Sequence, residues 1–343
     1  MTSRERVTRC LTFTNPDRPP RELWALPWFT SRYPEAMADL AKNFPGDFGG
    51  APNVGRPSAR KQGDIYAAGT SVDEWGCVRV NIHPGVVGEV KDPILQNLDD
   101  YDRAIQPPRE TLPENFDAAR DAVNRGLGAP GGHDRFVRAN QCANPWERYQ
   151  YLRGTVDAMC DVMEPDDPRL RAALAKIHGF FMREIEFWAS TDVDAINLMD
   201  DWGSQHQLLI PSSIWRELFK PLYRDACALA RAHGKHVFMH SDGFIEEIYP
   251  ALIEIGVTAL NSQLFCMDLN RLAAHKGRIT FWGELDRQHT LANGDPDQIR
   301  RDVRRVIDAL HDPRGGVIAQ FELGPGSHPD AGRHAFQAWE EIA

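Results

Sequence analysis

The chain has 343 residues, 42% of them hydrophobic and 26% charged, and 39 basic against 49 acidic side chains leave a net charge of −10. A chain of this size can bury a full core, as one large barrel or two ordinary domains. Its acidic balance excludes a nucleic-acid groove or an anionic membrane surface as the main partner.

No apolar run reaches the roughly 20 residues of a membrane span. Met1 to Arg9 lacks the apolar segment of a signal peptide, so a cytoplasmic protein is expected. The six cysteines, Cys10, Cys77, Cys142, Cys160, Cys227 and Cys266, are scattered without a C-x-x-C pair, which predicts reduced thiols. There is no Rossmann glycine fingerprint and no G-x-S-x-G elbow, so dinucleotide binding and serine hydrolysis lack their signatures.

Residues 2–12 read as a short helix with Ser3 as N-cap. A turn at Asn15–Pro20 leads to a strand at 22–26. Residues 43–70 are rich in Gly and Pro and read as loop. A β-hairpin is expected from 72–80 and 85–90, joined by Asn81–Ile82–His83–Pro84. A helix near 114–125 closes a polar stretch, so 43–132 is expected as an insertion near a barrel mouth.

From residue 134 a repeating order sets in. A strand at 135–139 precedes helical sequence at 145–163 and 168–189. In the second helix Leu170, Leu174, Ile177, Phe181, Ile185 and Trp188 recur every three or four residues, which marks one buried face. Strand 193–198, helix 212–233, strand 236–240, helix 243–255, strand 257–261, helix 268–275, strand 279–283, helix 297–310, strand 316–321 and a helix after Pro329 follow. Short strands between helices imply parallel pairing with right-handed crossovers. About seven such strands predict a single distorted (β/α)8 barrel of the TIM type rather than an open sheet.

A barrel gathers the residues just past each strand. Here they are polar: Asn140 and Gln141; Asp200, Asp201 and Gln205; His240 and Asp242; Asn261 and Gln263; Glu284, Asp286, Arg287, Gln288 and His289; Glu322. His240, Asp242, Glu284 and Glu322 have the donor types of an N/O metal site, suited to zinc, manganese or iron. Grouped carboxylates also suit general acid/base work, because repulsion raises one pKa. Structural readings stand beside these. His240 can be a hydrogen-bonded strand-end histidine, Asp242 and Asp200 or Asp201 can cap a helix or hold a loop, and Arg287 can pair with Asp286 or Glu284. Trp75, Trp202 and Trp282 are candidates for an apolar substrate wall or for core packing.

Several of these pieces, in their order and spacing, resemble a known family. They are Arg4–Glu5–Arg6–Val7 with Asn15–Pro16–Asp17–Arg18–Pro19, Asp73–Glu74–Trp75–Gly76, Tyr151–Leu152–Arg153–Gly154, Asp200–Asp201–Trp202–Gly203–Ser204–Gln205, Leu209–Ile210–Pro211, Phe219–Lys220–Pro221, His240–Ser241–Asp242–Gly243 and Gly324–Pro325–Gly326. Together they resemble the uroporphyrinogen decarboxylase superfamily, and within it the corrinoid- or methylcobamide-linked methyltransferase branch. The resemblance implies a distorted (β/α)8 barrel with its site at the C-terminal strand ends. In that branch zinc is held by a His-x-Cys pair and a later Cys near a Pro-Gly turn. The pair falls on His240 and Asp242, and no cysteine follows Cys266. Either carboxylates replace thiolate, through Asp242 and Glu322, or the metal is lost. The arginine-rich motif of true decarboxylases is only faintly echoed by Thr30–Ser31–Arg32–Tyr33–Pro34–Glu35, and an acidic ring suits a polyacidic substrate poorly.

The resulting expectation is an enzyme that moves a methyl group from a small methylated compound, such as a methoxy-aromatic, to a corrinoid protein or thiol acceptor. His240, Asp242 and Glu322 would hold a divalent metal, zinc by the resemblance, and His240, Asp242 and Glu284 would do the chemistry. Asp200, Asp201, Gln205, Asn261, Gln263, Arg287, Trp75 and Trp282 would contact substrate. The chain carries no recognisable corrinoid module, so cobalamin would come with a partner protein. A metal-free decarboxylase of a small acid and a non-catalytic ligand-binding member are the alternatives. The apolar face of 168–189 would suit a homodimer.

Overall fold

The computed structural model describes residues 1–140 and 143–342; Gln141 and Cys142 lie outside the described residues. In chain order the strands are β1 Arg21–Ala25, β2 Phe48–Gly50, β3 Gly69–Val72, β4 Val78–Asn81, β5 Glu89–Asp92, β6 Phe136–Arg138, β7 Ala195–Met199, β8 His236–Ser241, β9 Ala259–Ser262, β10 Thr280–Trp282 and β11 Val317–Leu323. Eight of them form one sheet in the order β1-β11-β10-β9-β8-β7-β6-β2. Every pair in it is parallel. With helices around it, this is the nearly closed (β/α)8 barrel that the alternation predicts.

The barrel is filled from within by Phe136, Ala195, Phe238, Ala259, Trp282 and Ile318, which form one cluster with Val7, Cys10 and Leu11 of the first helix, Ser3–Leu11. That helix closes the N-terminal end: Cys10 Sγ donates to Val317 O at 3.3 Å, at the start of β11. Its Arg6 reaches the buried Asp47 at 2.7 Å. Thr2 rather than Ser3 caps it, accepting from Glu5 N at 3.1 Å. A second, larger cluster packs the outer helices on the sheet. Each large side chain fully buried in it stabilises the fold by roughly 1.5–3 kcal/mol.

Three departures from the sequence pattern have physical causes. Strand β2 lies inside the span expected to be loop. Asp47 anchors it, accepting from Arg21 N at 2.8 Å, and it pairs with β6. The expected hairpin is instead the three-stranded antiparallel sheet β3-β4-β5. Asp73 breaks the 72–80 run by accepting from the backbone N–H groups of Trp75 and Cys77 at 3.0 and 2.9 Å, and Gly76 supplies the positive φ of 91° that this turn needs. The span 145–163 splits into helices Pro145–Arg153 and Thr155–Asp161 at Gly154, φ 87°.

Helix Pro168–Ala189 has the predicted extent, and all six of its stripe residues are buried within the chain. That face is covered by the protein itself and offers no dimer surface. Among the described residues no helix is long and apolar enough to cross a membrane.

Candidate active site at the barrel mouth

The loops after β7 and β8 are joined backbone to backbone. Asp200 N donates to His240 O at 3.1 Å and Gly203 N to Asp242 O at 3.0 Å. Gly203 and Gly243 meet so closely that a Cβ on Gly243 would lie 2.2 Å from Gly203 O. Only glycine permits that approach. The junction carries Asp201 to the β8 end, where its Oδ1 accepts from Asp242 N at 2.9 Å.

His240 Nε2 then stands 3.4 Å from Asp201 Oδ1 and 3.7 Å from Asp242 Oδ1. One ligand atom from each of the three lies within 4.8 Å of the other two. Burial alone would discharge His240, but Asp201, Asp242 and Glu284 outweigh it and push its pKa up to about 10. Burial also opposes the charge on Asp201, yet contact with His240 and the Asp242 N–H hold it below the usual carboxylate range.

The other ring nitrogen is held from below. His240 Nδ1 lies 2.5 Å from Asn261 Oδ1. The Asn261 amide nitrogen donates to Trp282 O at 2.5 Å and to Gln320 Oε1 at 2.9 Å. These two acceptors orient the amide, so its oxygen faces the imidazole and Nδ1 carries the hydrogen. Nε2 is thereby the nitrogen presented to Asp201 and Asp242.

A second centre lies beside the first. Arg287 Nη2 donates to Asp242 Oδ2 and Nη1 to Glu322 Oε1, both at 2.6 Å. Its Nε is 3.1 Å from Glu284 Oε2, without the alignment of a hydrogen bond. Glu284 is buried, with no hydrogen-bond partner on either oxygen. Burial pushes its pKa up to about 8, with Arg287 and His240 opposing and Asp242 and Glu322 adding to the rise.

Several expected site residues have other places. Asp200 is fully buried and turned away from the mouth. It accepts from Trp146 N at 3.0 Å, Glu147 N at 2.7 Å and Tyr223 Oη at 2.5 Å. It therefore caps helix Pro145–Arg153 from a distance. Glu322, expected as a metal ligand, is taken by Arg287, and Asp201 stands in the ligand cluster instead. Asn261 is fully buried and contacts His240 rather than open space. Trp75 packs on Phe180 and Phe181 under Arg148 and joins the insertion to the barrel helices. Trp282 is inside the barrel, donating from Nε1 to Glu22 Oε2 at 2.7 Å. Trp202 is core, stacked on Trp146. Gln205 and Gln263 do lie at the mouth: Gln205 accepts from Gln288 at 3.1 Å and Gln263 from Gly243 N at 3.1 Å.

Two residues at the site lacked a sequence signal. Trp24 of β1 brings its ring 5.3 Å from that of His240; nothing in the strand expected at 22–26 singled it out. Glu147 has a carboxyl pKa raised by burial and by Asp201, with His240 among the opposing charges. Its Oε2 is buried without a partner. It lies in the first turn of a helix rather than past a strand, where acids are common for electrostatic reasons alone.

The donor set fits a divalent cation. Two ligands about 2 Å from one ion sit about 3–3.5 Å apart at ordinary coordination angles, close to the 3.4 and 3.7 Å found here. Asp242 Oδ1 is buried and has no hydrogen-bond partner, as expected of an oxygen kept for a metal. One imidazole with two carboxylates is a harder set than His with thiolates, suited to zinc, manganese or iron.

Fold and site together define a barrel protein whose mouth is lined by histidine and carboxylates. A family model for uroporphyrinogen decarboxylase (URO-D) matches residues 70–341, and the chain belongs to that family. A methyltransferase from Methanosarcina mazei superposes with a TM-score of 0.67 at 14% identity, covering 99% of both chains. That likeness concerns the fold. An intracellular xylanase from Thermoanaerobacterium saccharolyticum matches at 0.42 and 10% identity, over 93% of this chain and 95% of that one. A glycosylated endo-β-1,4-xylanase from Gloeophyllum trabeum matches at 0.35 and 16%, over 66% and 80%. No curated protein matches the chain.

Proposed function

We propose that this protein transfers a methyl group from a small methylated compound to a corrinoid protein or thiol acceptor, with a divalent metal held by Asp201, His240 and Asp242. The observation that carries this reading is the cluster itself: three ligand atoms within 4.8 Å at the C-terminal ends of β7 and β8. A bound metal would supply Lewis acidity toward the donor's heteroatom or toward an acceptor thiol. The chain's own residues do the rest. Asn261 orients His240. Arg287 fixes Asp242 and Glu322. Glu284 shares a proton with the heteroatom that leaves as the acceptor's electron pair forms its bond to the methyl carbon.

The same geometry disfavours a substrate with several carboxylates. Arg287 already meets Asp242, Glu284 and Glu322, so its charge is not free for an anion. One observation favours a second reading, decarboxylation of a small acid: at pH 7 a Glu284 carboxyl with a pKa of about 8 is a proton donor for the carbanion that CO2 loss leaves.

The test is metal analysis of protein purified without chelator, followed by transfer to cob(I)alamin, read as formation of methylcobalamin. One equivalent of metal, lost in H240A and D201A, and methylcobalamin formed from a methylated donor are expected. Metal-free protein that releases CO2 from a small acid would replace this reading with the second.

A further inference from the structure

We propose that Trp24 is a positioning residue for His240: its indole packs on the imidazole from across the barrel and keeps Nε2 turned toward Asp201 and Asp242. This rests on the metal-assisted reading above and adds to it a group that sets the ring before a cation arrives.

The strand pattern brings Trp24 there. Glu22 and Trp24 are two residues apart on β1, so they share one face of it. That face is the inner one. Trp24 packs against the cluster that fills the barrel, and Glu22 Oε2 accepts from the Trp282 indole at 2.7 Å. Strands β11, β10 and β9 separate β1 from β8 in the sheet. The contact of the Trp24 and His240 rings, 5.3 Å between centroids, therefore spans the barrel bore rather than a strand pair.

The imidazole needs such a neighbour. Asn261 holds Nδ1, which is one corner of the ring. The χ2 torsion of a histidine is broad by itself, and Nε2 swings with it. An aromatic ring inside the roughly 4.5–7 Å range of favourable ring pairs narrows that swing.

Trp24 is itself braced. Its ring meets that of Trp282 at 5.2 Å and 89°, and Trp282 in turn meets Phe238 at 5.0 Å. The Trp282 carbonyl also accepts from the Asn261 amide at 2.5 Å. Both supports of His240, the amide and the indole, thus lean on Trp282. Glu22 fixes that residue, and Arg138 fixes Glu22.

The experiment is nuclear magnetic resonance of protein with labelled tryptophan and histidine, joined to zinc competition against a chelating dye. In metal-free wild-type protein, Overhauser contacts between the ring protons of Trp24 and His240 are expected. W24A is expected to loosen the His240 ring, read from its relaxation, while the other histidines keep their order. It is also expected to bind zinc about tenfold more weakly. W24F, which keeps an aromatic ring, is expected to restore most of both. Absence of the Overhauser contacts in wild-type protein overturns the proposal whatever the variants do, including a W24A that does not fold. A folded W24A with zinc affinity within about twofold of wild type overturns it as well. Wild-type protein that binds no zinc, with His240 loosened in W24A and not in W24F, supports Trp24 as the brace and removes the metal reading. Zinc bound equally by both proteins, with His240 unchanged, does the reverse.

Discussion

Asn261 holds Nδ1 of His240 at 2.5 Å while its own amide nitrogen donates to Trp282 O and Gln320 Oε1. The chain of contacts runs from the mouth down into the barrel, since the Trp282 indole donates to Glu22 and Glu22 pairs with Arg138. The His240 ring is thus oriented by interior groups, and its Nε2 faces the two aspartates. Partners of this kind raise ligand basicity and fix the ring.

Removing that support has a defined consequence. N261A is expected to fold, with a lower melting temperature, and to bind zinc about 10–100-fold more weakly than wild type, the usual cost of losing an outer partner of a metal-binding histidine. Competition against a chelating dye measures it. Unchanged zinc affinity in folded N261A would show that the imidazole needs no such support.

Adjacent aspartates are expected to separate cleanly into structure and function. Asp200→Ala leaves Trp146 N, Glu147 N and Tyr223 Oη without their buried acceptor. The expected loss is about 2–4 kcal/mol of unfolding free energy. Asp201 is 42% exposed at its side chain but accepts from Asp242 N and faces His240, so D201A should cost about 1 kcal/mol, less than Asp200→Ala, while abolishing metal binding. Urea unfolding and metal analysis of both variants decide the matter. Loss of metal in a stable Asp200→Ala protein, with metal retained in D201A, would falsify the assignment.

These two residues also mark where the sequence stops being informative. Strand ends were legible because β7, β8, β10 and β11 are apolar runs that stop at polar residues, and the long helix Pro168–Ala189 was legible from its periodicity. Which member of Asp200–Asp201 faces the mouth was not legible. Adjacent side chains point to different sides, and the choice depends on the Gly203–Gly243 contact between distant loops. The pairing of Arg287 with Asp242 and Glu322 is long-range in the same way, so Glu322 read as a free ligand. Strand β2 was hidden because Phe48–Gly49–Gly50 has no period of its own; it forms because Asp47 and β6 hold it.

Arg287 presents a single guanidinium to three carboxylates. Lysine keeps the charge but places one point of it and cannot span Asp242, Glu284 and Glu322 together. R287K is therefore expected to lower methyl transfer by about tenfold or more through misplacement of Asp242, with little change in melting temperature. Equal turnover in R287K would reduce the arginine's part to charge alone.

Away from the mouth, Glu184 gives a pH dependence whose sign can be worked out. It sits on helix Pro168–Ala189 in the cleft beside Trp75 and Arg148. Burial, then the charge of Glu74, push its pKa up to about 8, with Arg148 opposing. An unfolded glutamate titrates near 4.5. Between 4.5 and 8 the folded state holds a proton that the unfolded state has released. Folding stability from this residue is therefore full below the lower value and falls as pH rises toward the upper one. E184Q, which stays neutral, should flatten that decline, matching wild type at pH 5 and melting higher at pH 8. A gain of about 1 kcal/mol would raise the melting temperature by about 2 °C in a chain of this size. Melting curves at both pH values measure the difference; parallel slopes for the two proteins would mean that Glu184 is ionised in the fold and paired with Arg148 after all.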